Sequence, residues 1–163
     1  MRQLQRRLGA AALALLLGLM TGLPARAEET VLIAGNDGLY PIESYDPKTE
    51  RYVGLLPELY ERIGRETGLR LVYLPHEGDT GQRQRTENRQ ADILSAYLPD
   101  AVDERLLRER ITVCRRETEQ GVQEIRVGFL NTLSPETAET LKQALQAIPP
   151  EETLGLLANS LEA

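Results

Sequence analysis

The segment "GLLPELYERIGRETGLRLVYLP", residues 54–75, decides the fold because it joins a helix to a strand. Apolar side chains in its first half recur at helical spacing, at Leu56, Leu59, Tyr60 and Ile63. This spacing predicts a helix with one buried face. Pro57 suits the first helical turn, where its missing N–H costs nothing, and Gly68 suits a left-handed helix end. The apolar run at residues 69–74 then predicts a strand.

The flanking segments extend this unit to an α/β fold. The apolar run "ETVLIAG", residues 29–35, predicts a buried strand, so that strand, loop, helix and strand follow one another. Such βαβ units favour parallel sheets with right-handed crossovers. Later apolar runs predict further strands at residues 91–97, 111–114 and 125–130. The order of elements predicts an α/β fold with a mostly parallel sheet flanked by helices.

Polar segments separate these strands. Residues 36–52 are rich in turn-forming residues and predict a long loop or a loose hairpin. Residues 82–90 and residues 100–110 each predict a short helix, and residues 115–124 predict a polar connection.

The C-terminal segment predicts two helices. Ser134 is a favourable N-cap and Pro135 a favourable first helical residue. Pro149 and Pro150 end this helix, and a second helix is predicted to begin near Glu151.

The first 27 residues predict a secretory signal peptide. Arginines precede an apolar run at residues 8–23, and Ala25-Arg26-Ala27 fits the small-x-small cleavage pattern. Cleavage would leave a single domain at residues 28–163, in the periplasm or secreted, with no membrane span. An uncleaved membrane anchor is the alternative.

Composition excludes several classes of function. The formal net charge of −6 argues against nucleic acid as a partner. The single cysteine, Cys114, allows no internal disulfide and is expected as a small buried residue of a strand. With one histidine, His76, the sequence predicts no His- or Cys-rich zinc site. Glycine-rich phosphate loops and nucleophile elbows are also absent, so neither an enzyme nor a cofactor is predicted.

Two further segments carry a family resemblance. "VLIAGNDGLYPIESYD", residues 31–46, precedes the helix–strand unit, and "RQADILSAY", residues 89–97, follows it. In this order they resemble the first lobe of bacterial extracellular solute-binding proteins of family 3, which have the type II periplasmic binding fold. The resemblance covers residues 30–98 and rests on matched positions at Gly54, Glu58-Leu59, Ile63, Gly68-Leu69 and Ala91-Asp92-Ile93. Residues 125–163 are similar to the family's returning strand and closing helices.

The sequence departs from the family pattern after residue 98. Only the short crossover at residues 99–124 precedes the returning strand, whereas a second lobe needs several βα units of roughly 30 residues each. The second lobe is therefore predicted to be absent or reduced to a hairpin. Arg105 lies two residues later than the family's ligand-binding arginine. Glu43 stands near the place of an aromatic residue that packs on ligand.

The resemblance implies a ligand at the carboxyl ends of the strands. Tyr40 and Tyr45 would form an apolar wall, backbone groups near Ser95 would make hydrogen bonds, and Arg105 would hold a carboxylate. Each residue also has a plainer interpretation: the tyrosines as loop packing, Ser95 as an ordinary strand residue, and Arg105 as a solvated side chain. Asp92 is expected to stabilise the turn into its strand.

The resulting hypothesis is an exported module that binds a small polar solute such as an amino acid. It would serve uptake or sensing with a membrane permease or a membrane sensor protein. The alternative is a degenerate single lobe that acts through protein–protein contact, or a truncated remnant that binds no ligand.

Overall fold

The helix–strand unit contributes an edge strand to a five-stranded sheet. The structure, a computed structural model, describes residues 28–78 and 80–147. The strands of the main sheet are β1 (Thr30–Ala34), β4 (Arg70–Tyr73), β5 (Ile93–Tyr97), β6 (Leu107–Thr118) and β7 (Gly121–Leu130), in the order β4-β1-β5-β7-β6. A separate two-stranded sheet consists of β2 (Ser44–Asp46) and β3 (Arg51–Val53). The helices are α1 (Leu55–Thr67), α2 (Gly81–Glu87) and α3 (Pro135–Gln146). The predicted signal peptide and the helix near Glu151 lie outside the described residues.

The β1–α1–β4 unit forms as its sequence predicts. Strand β1 pairs in parallel with both β4 and β5. Gly68 ends α1 in the left-handed conformation, with φ 75°, and its N–H donates to the Gly64 carbonyl at 3.0 Å. The predicted apolar face of α1 is buried and packs on the sheet. Each such buried side chain contributes about 1.5–3 kcal/mol to folding.

The crossover at residues 99–124, which was predicted to contain no second lobe or only a hairpin, leads into a long hairpin of β6 and β7. Strands β6 and β7 pair antiparallel from Leu107↔Leu130 to Thr118↔Gly121. Strand β7 also pairs antiparallel with β5, as far as Tyr97↔Arg126. The hairpin therefore adds an antiparallel half to the parallel half made by β4, β1 and β5. The predicted α/β lobe is confirmed.

Two local predictions within the crossover are wrong. Residues 100–110 form 3-10 turns at Pro99–Ala101 and Glu104–Leu106 and then the start of β6, instead of a helix. Residues 115–124 are paired strands and a tight turn instead of a polar connection. Cross-strand bonds replace apolar burial here, for example Arg115 to Glu124 at 2.9 Å.

The core lies mainly on one face of the sheet. Helices α1 and α3 cover that face, and a smaller cluster of Leu94, Tyr97, Leu107 and Leu130 lies apart from it. Asp92 stabilises the start of β5 as expected, because its Oδ2 accepts from Leu32 N at 2.8 Å. Cys114 lies in β6 and is half-buried, which raises the pKa of its thiol. None of the helices in the described part of the chain could cross a membrane.

Candidate functional site

The carboxyl ends of β1, β4 and β5 meet at one edge of the sheet, and internal hydrogen bonds cover much of that edge. Asn36 follows β1 and donates from Nδ2 to the Ala96 carbonyl at 2.7 Å. Gln82, on α2, donates from Nε2 to the carbonyls of Ala34 and Ser95. The backbone oxygens predicted to face a solute therefore already accept bonds from the protein's own side chains.

A buried polar cluster lies directly beneath this edge. The fully buried Glu43 is at its centre, and Glu43 Oε2 accepts from Ser95 Oγ at 2.6 Å and from the Tyr73 hydroxyl at 2.5 Å. Glu43 Oε1 accepts from Asn36 N at 2.6 Å. Ser95 Oγ lies 3.0 Å from the Tyr60 hydroxyl. We call these five residues the Glu43 cluster.

Burial controls the protonation of this cluster. It raises the pKa of Glu43 from its ordinary value of 4.5 to about 7, although its three hydrogen bonds act in the opposite direction. The donors of those bonds are uncharged groups, so they offset the loss of hydration only in part. Burial and the nearby Glu43 carboxyl also hold the pKa of Tyr73 well above its ordinary value.

An open groove of about 700 Å³ lies beside the Glu43 cluster. Five of its lining side chains are aromatic, namely Tyr45, Tyr52, Tyr60, Tyr73 and His76, and leucines and prolines complete the apolar part. Its charged side chains are of both signs: Glu50, Arg51 and Glu61. The rings of Tyr45 and His76 stack with centroids 4.2 Å apart, and those of Tyr52 and Tyr73 stack at 4.6 Å. We call this the aromatic groove. Because Tyr60 and Tyr73 belong to both, the aromatic groove and the Glu43 cluster share a wall.

The small hairpin positions two of these rings. Tyr45 on β2 and Tyr52 on β3 are direct cross-strand partners, so their side chains lie on the same face. The Tyr52 ring also packs against Gly35, where a Cβ would lie 2.6 Å from Tyr52 Cζ. The Tyr52 hydroxyl lies 3.2 Å from His76 Nδ1. Burial raises the pKa of Tyr52 to about 12, so its hydroxyl stays neutral near pH 7.

The predicted ligand residues lie in different surroundings. Tyr45 lines the aromatic groove, and Ser95 is buried in the Glu43 cluster. Tyr40 is 50% exposed in the loop before β2 and is not part of the groove lining. The side chain of Arg105 is 91% exposed and forms an ion pair with Asp103 at 2.8 Å. The structure thus brings Tyr45 and Ser95 to adjoining sites, and a binding role for these residues stays a prediction.

Sequence reasoning missed most residues of this region. The groove lining includes Tyr52, Tyr73 and His76. Tyr52 is far from the other two in the sequence, and the proximity of all three arises only in the folded chain. Glu43 was noted at an aromatic position of the family, and that substitution was the one available signal. Within residues 28–78 and 80–147, no group of three or more His, Cys, Asp or Glu side chains is placed to hold a metal ion.

Solved structures share the fold of this chain, whereas no family model and no curated protein matches its sequence. The arginine-bound form of domain 1 from TmArgBP is 13% identical, with a TM-score of 0.56 over 73% of this chain and 93% of that chain. AbpA, an amino acid ABC transporter substrate-binding protein from Streptococcus pneumoniae bound to L-arginine, is 12% identical, with a TM-score of 0.60 over 82% of this chain and 94% of that chain.

A third structure is an ancestral amino acid-binding protein, AncCDT-1, described as a precursor of cyclohexadienyl dehydratase. It is 8% identical, with a TM-score of 0.53 over 82% of this chain and 94% of that chain. These likenesses confirm the predicted fold, a lobe of the type II periplasmic binding kind. The match to an isolated domain 1 agrees with a single lobe.

Proposed function

We propose that this chain is a binding module for a small amino-acid-like solute and that the aromatic groove holds the solute. The observation that carries the proposal is the groove itself, a space of about 700 Å³ whose lining includes four tyrosines and a histidine. It lies next to the strand ends at which open α/β sheets bind ligands. The neighbours described above are amino-acid-binding proteins, which supports a solute-binding role over a degenerate lobe without ligand.

The chemistry of the groove favours a solute with a positively charged, planar side chain. Tyrosine faces attract such cations, and the attraction increases where water is excluded. Glu50 and Glu61 add negative charge to the groove, and Arg51 can hold the solute's own carboxylate bidentately. Two of the neighbouring structures were solved with arginine. L-Arginine is therefore the first candidate.

The proposed setting is extracytoplasmic. The signal-peptide pattern at residues 1–27 supports export, and the partner would be a membrane permease or a membrane sensor protein. We propose no enzymatic activity.

Isothermal titration calorimetry with L-arginine, L-lysine, L-glutamine and L-glutamate tests the proposal. We expect heat of binding from L-arginine and a loss of about tenfold or more in affinity in Tyr45→Leu, because one stacking wall is removed. Tyr40→Leu is the matched control, since it removes a tyrosine that does not line the groove.

Two results would contradict the proposal. Absence of binding by every amino acid would refute solute binding. A loss of affinity in Tyr40→Leu but not in Tyr45→Leu would place the solute on the loop before β2 instead of in the groove.

A further inference from the structure

Glu43 is a buried carboxyl group that the proposed solute does not contact. It is not part of the groove lining, and its side chain is fully buried. Its hydrogen bonds join three parts of the chain: the loop after β1 through Asn36, β4 through Tyr73 and β5 through Ser95. A buried carboxyl with three uncharged donors is costly to keep ionised. This cost points to a role of Glu43 other than stabilising the fold.

The Tyr73 ring connects Glu43 to the groove. Its hydroxyl donates to Glu43 Oε2, while its ring stacks on Tyr52 and forms part of the groove wall. Tyr52 in turn makes an edge contact with Tyr45, with ring centroids 5.3 Å apart. A change in the bonding of Glu43 therefore reaches the stacked walls directly through Tyr73, and Tyr60 gives a second route by way of Ser95.

We propose that Glu43 is a positioning residue of the aromatic groove, which fixes the Tyr73 wall through its hydrogen bond and makes solute affinity depend on whether the carboxyl group is ionised. The inference rests on the proposed function, because it describes how Glu43 regulates solute affinity at the aromatic groove.

The direction in which pH changes solute affinity follows from the hydroxyl groups that donate hydrogen bonds to Glu43. Ionised Glu43 accepts from the hydroxyls of both Tyr73 and Ser95 at Oε2. A proton on Oε2 makes that oxygen a donor, so one hydroxyl must turn to accept and the bond to the other weakens. The ionised form also attracts a cationic solute in the adjoining groove. Solute affinity should therefore rise with pH, and burial puts the pKa of Glu43 at about 7, within an accessible range.

Other ionisable groups surround Glu43 and must be separated from it. Tyr60 on α1, Tyr73 on β4 and Tyr52 on β3 all have raised pKa values and stay neutral below pH 9. Helix α2 brings the uncharged Gln82 to the Ser95 carbonyl, and Arg85 of the same helix pairs with Glu77 at 2.8 Å. His76 and Asp37, 3.8 Å apart, lie at the groove side.

The first test measures L-arginine affinity by calorimetry at pH 5.5 and pH 8 in the wild type, Glu43→Gln and His76→Gln. We expect binding about fivefold or more tighter at pH 8 in the wild type, the lower end of coupling between two sites. This ratio should fall to about one in Glu43→Gln and persist in His76→Gln. A ratio that persists in Glu43→Gln and vanishes in His76→Gln would overturn the proposal.

The second test needs no solute, so it separates failure of this inference from failure of the proposed function. The near-ultraviolet circular dichroism of the tyrosines is followed from pH 5 to pH 8.5 in the ligand-free protein, which contains no tryptophan. We expect a transition with a midpoint near 7, and its absence in Glu43→Gln and in Tyr73→Phe.

Tyr73→Phe keeps the ring and removes the hydroxyl that donates to Glu43. Identical dichroism titrations in wild type, Glu43→Gln and Tyr73→Phe would refute the positioning role, whether or not arginine binds. A transition that depends on both residues, without any binding of arginine, would support the positioning role and count against the proposed function alone.

Discussion

Glu43 has an uncommon position for an acidic side chain, because it is fully buried and its three hydrogen-bond donors are all uncharged. Its pKa in the folded protein, about 7, lies above the ordinary value of 4.5. The folded state therefore binds more protons than the unfolded state between these two pH values, and the free energy of unfolding falls as pH rises from 4.5 to 7. The loss amounts to up to about 3 kcal/mol at 1.36 kcal/mol per pH unit.

Glu43→Gln should remove this pH dependence. The amide can still accept from Asn36 N and donate to a hydroxyl, so we expect a higher free energy of unfolding than the wild type at pH 8 and a similar value at pH 4.5. Urea unfolding at the two pH values measures this difference. A variant less stable than the wild type at pH 8 would show that the ionised carboxylate is a net stabiliser.

Gly35 controls the Tyr52 wall. A Cβ at this position would lie 2.5–2.8 Å from three atoms of the Tyr52 ring, so Gly35→Ala should displace the ring and cost about 1–3 kcal/mol of stability. In the Tyr52→Ala background the same change should cost much less, because the clash is removed. Equal costs in both backgrounds, measured by thermal unfolding, would show that Tyr52 is not the source of the strain.

At the scale of elements, the β1–α1–β4 unit could be predicted because periodicity, caps and turn residues all agree. The β6–β7 hairpin could not. Its outer half has few apolar residues, and it is stabilised by cross-strand pairs such as Arg115 with Glu124. Leu107 and Ile111 have helical spacing, yet a bulge after Leu107 places them in different apolar clusters of the sheet. Single-sequence patterns do not reveal such register shifts.

The tip of this hairpin depends on one backbone conformation. Gly121 has φ +114°, a region that L-residues rarely adopt. Gly121→Ala should therefore lower the free energy of unfolding by about 1–3 kcal/mol, whereas Gln120→Ala beside it should change it by less than about 0.5 kcal/mol. Chemical denaturation of both variants checks this prediction. Equal effects would mean that the tip does not require the glycine conformation.

At the scale of the whole molecule, the described lobe offers one wall to a solute. Of the candidate site, the family resemblance implied Tyr45 in the groove and Ser95 beneath it. The grouping of Ser95 with the other members of the Glu43 cluster was not predicted, because these residues are separated by up to 59 positions in the chain, from Asn36 to Ser95. The parallel pairing of β1 with β4 and β5 brings Asn36, Tyr73 and Ser95 together, and α1 adds Tyr60.

A single lobe cannot close over its ligand as two lobes do. We therefore expect the radius of gyration from small-angle X-ray scattering to stay unchanged at saturating L-arginine, with the chain monomeric throughout. A compaction or a dimer that forms only with arginine would show that a second wall is recruited.

An NMR titration of the protein with L-arginine, with ¹³C-labelled tyrosine rings, tests directly whether the aromatic groove holds the solute. The chain has six tyrosines, of which Tyr45, Tyr52, Tyr60 and Tyr73 line the groove. Tyr40 and Tyr97 do not line it. We expect saturable shifts of the four groove signals, while those of Tyr40 and Tyr97 stay in place. Shifts confined to Tyr40, or no shifts at all, would contradict binding in the groove.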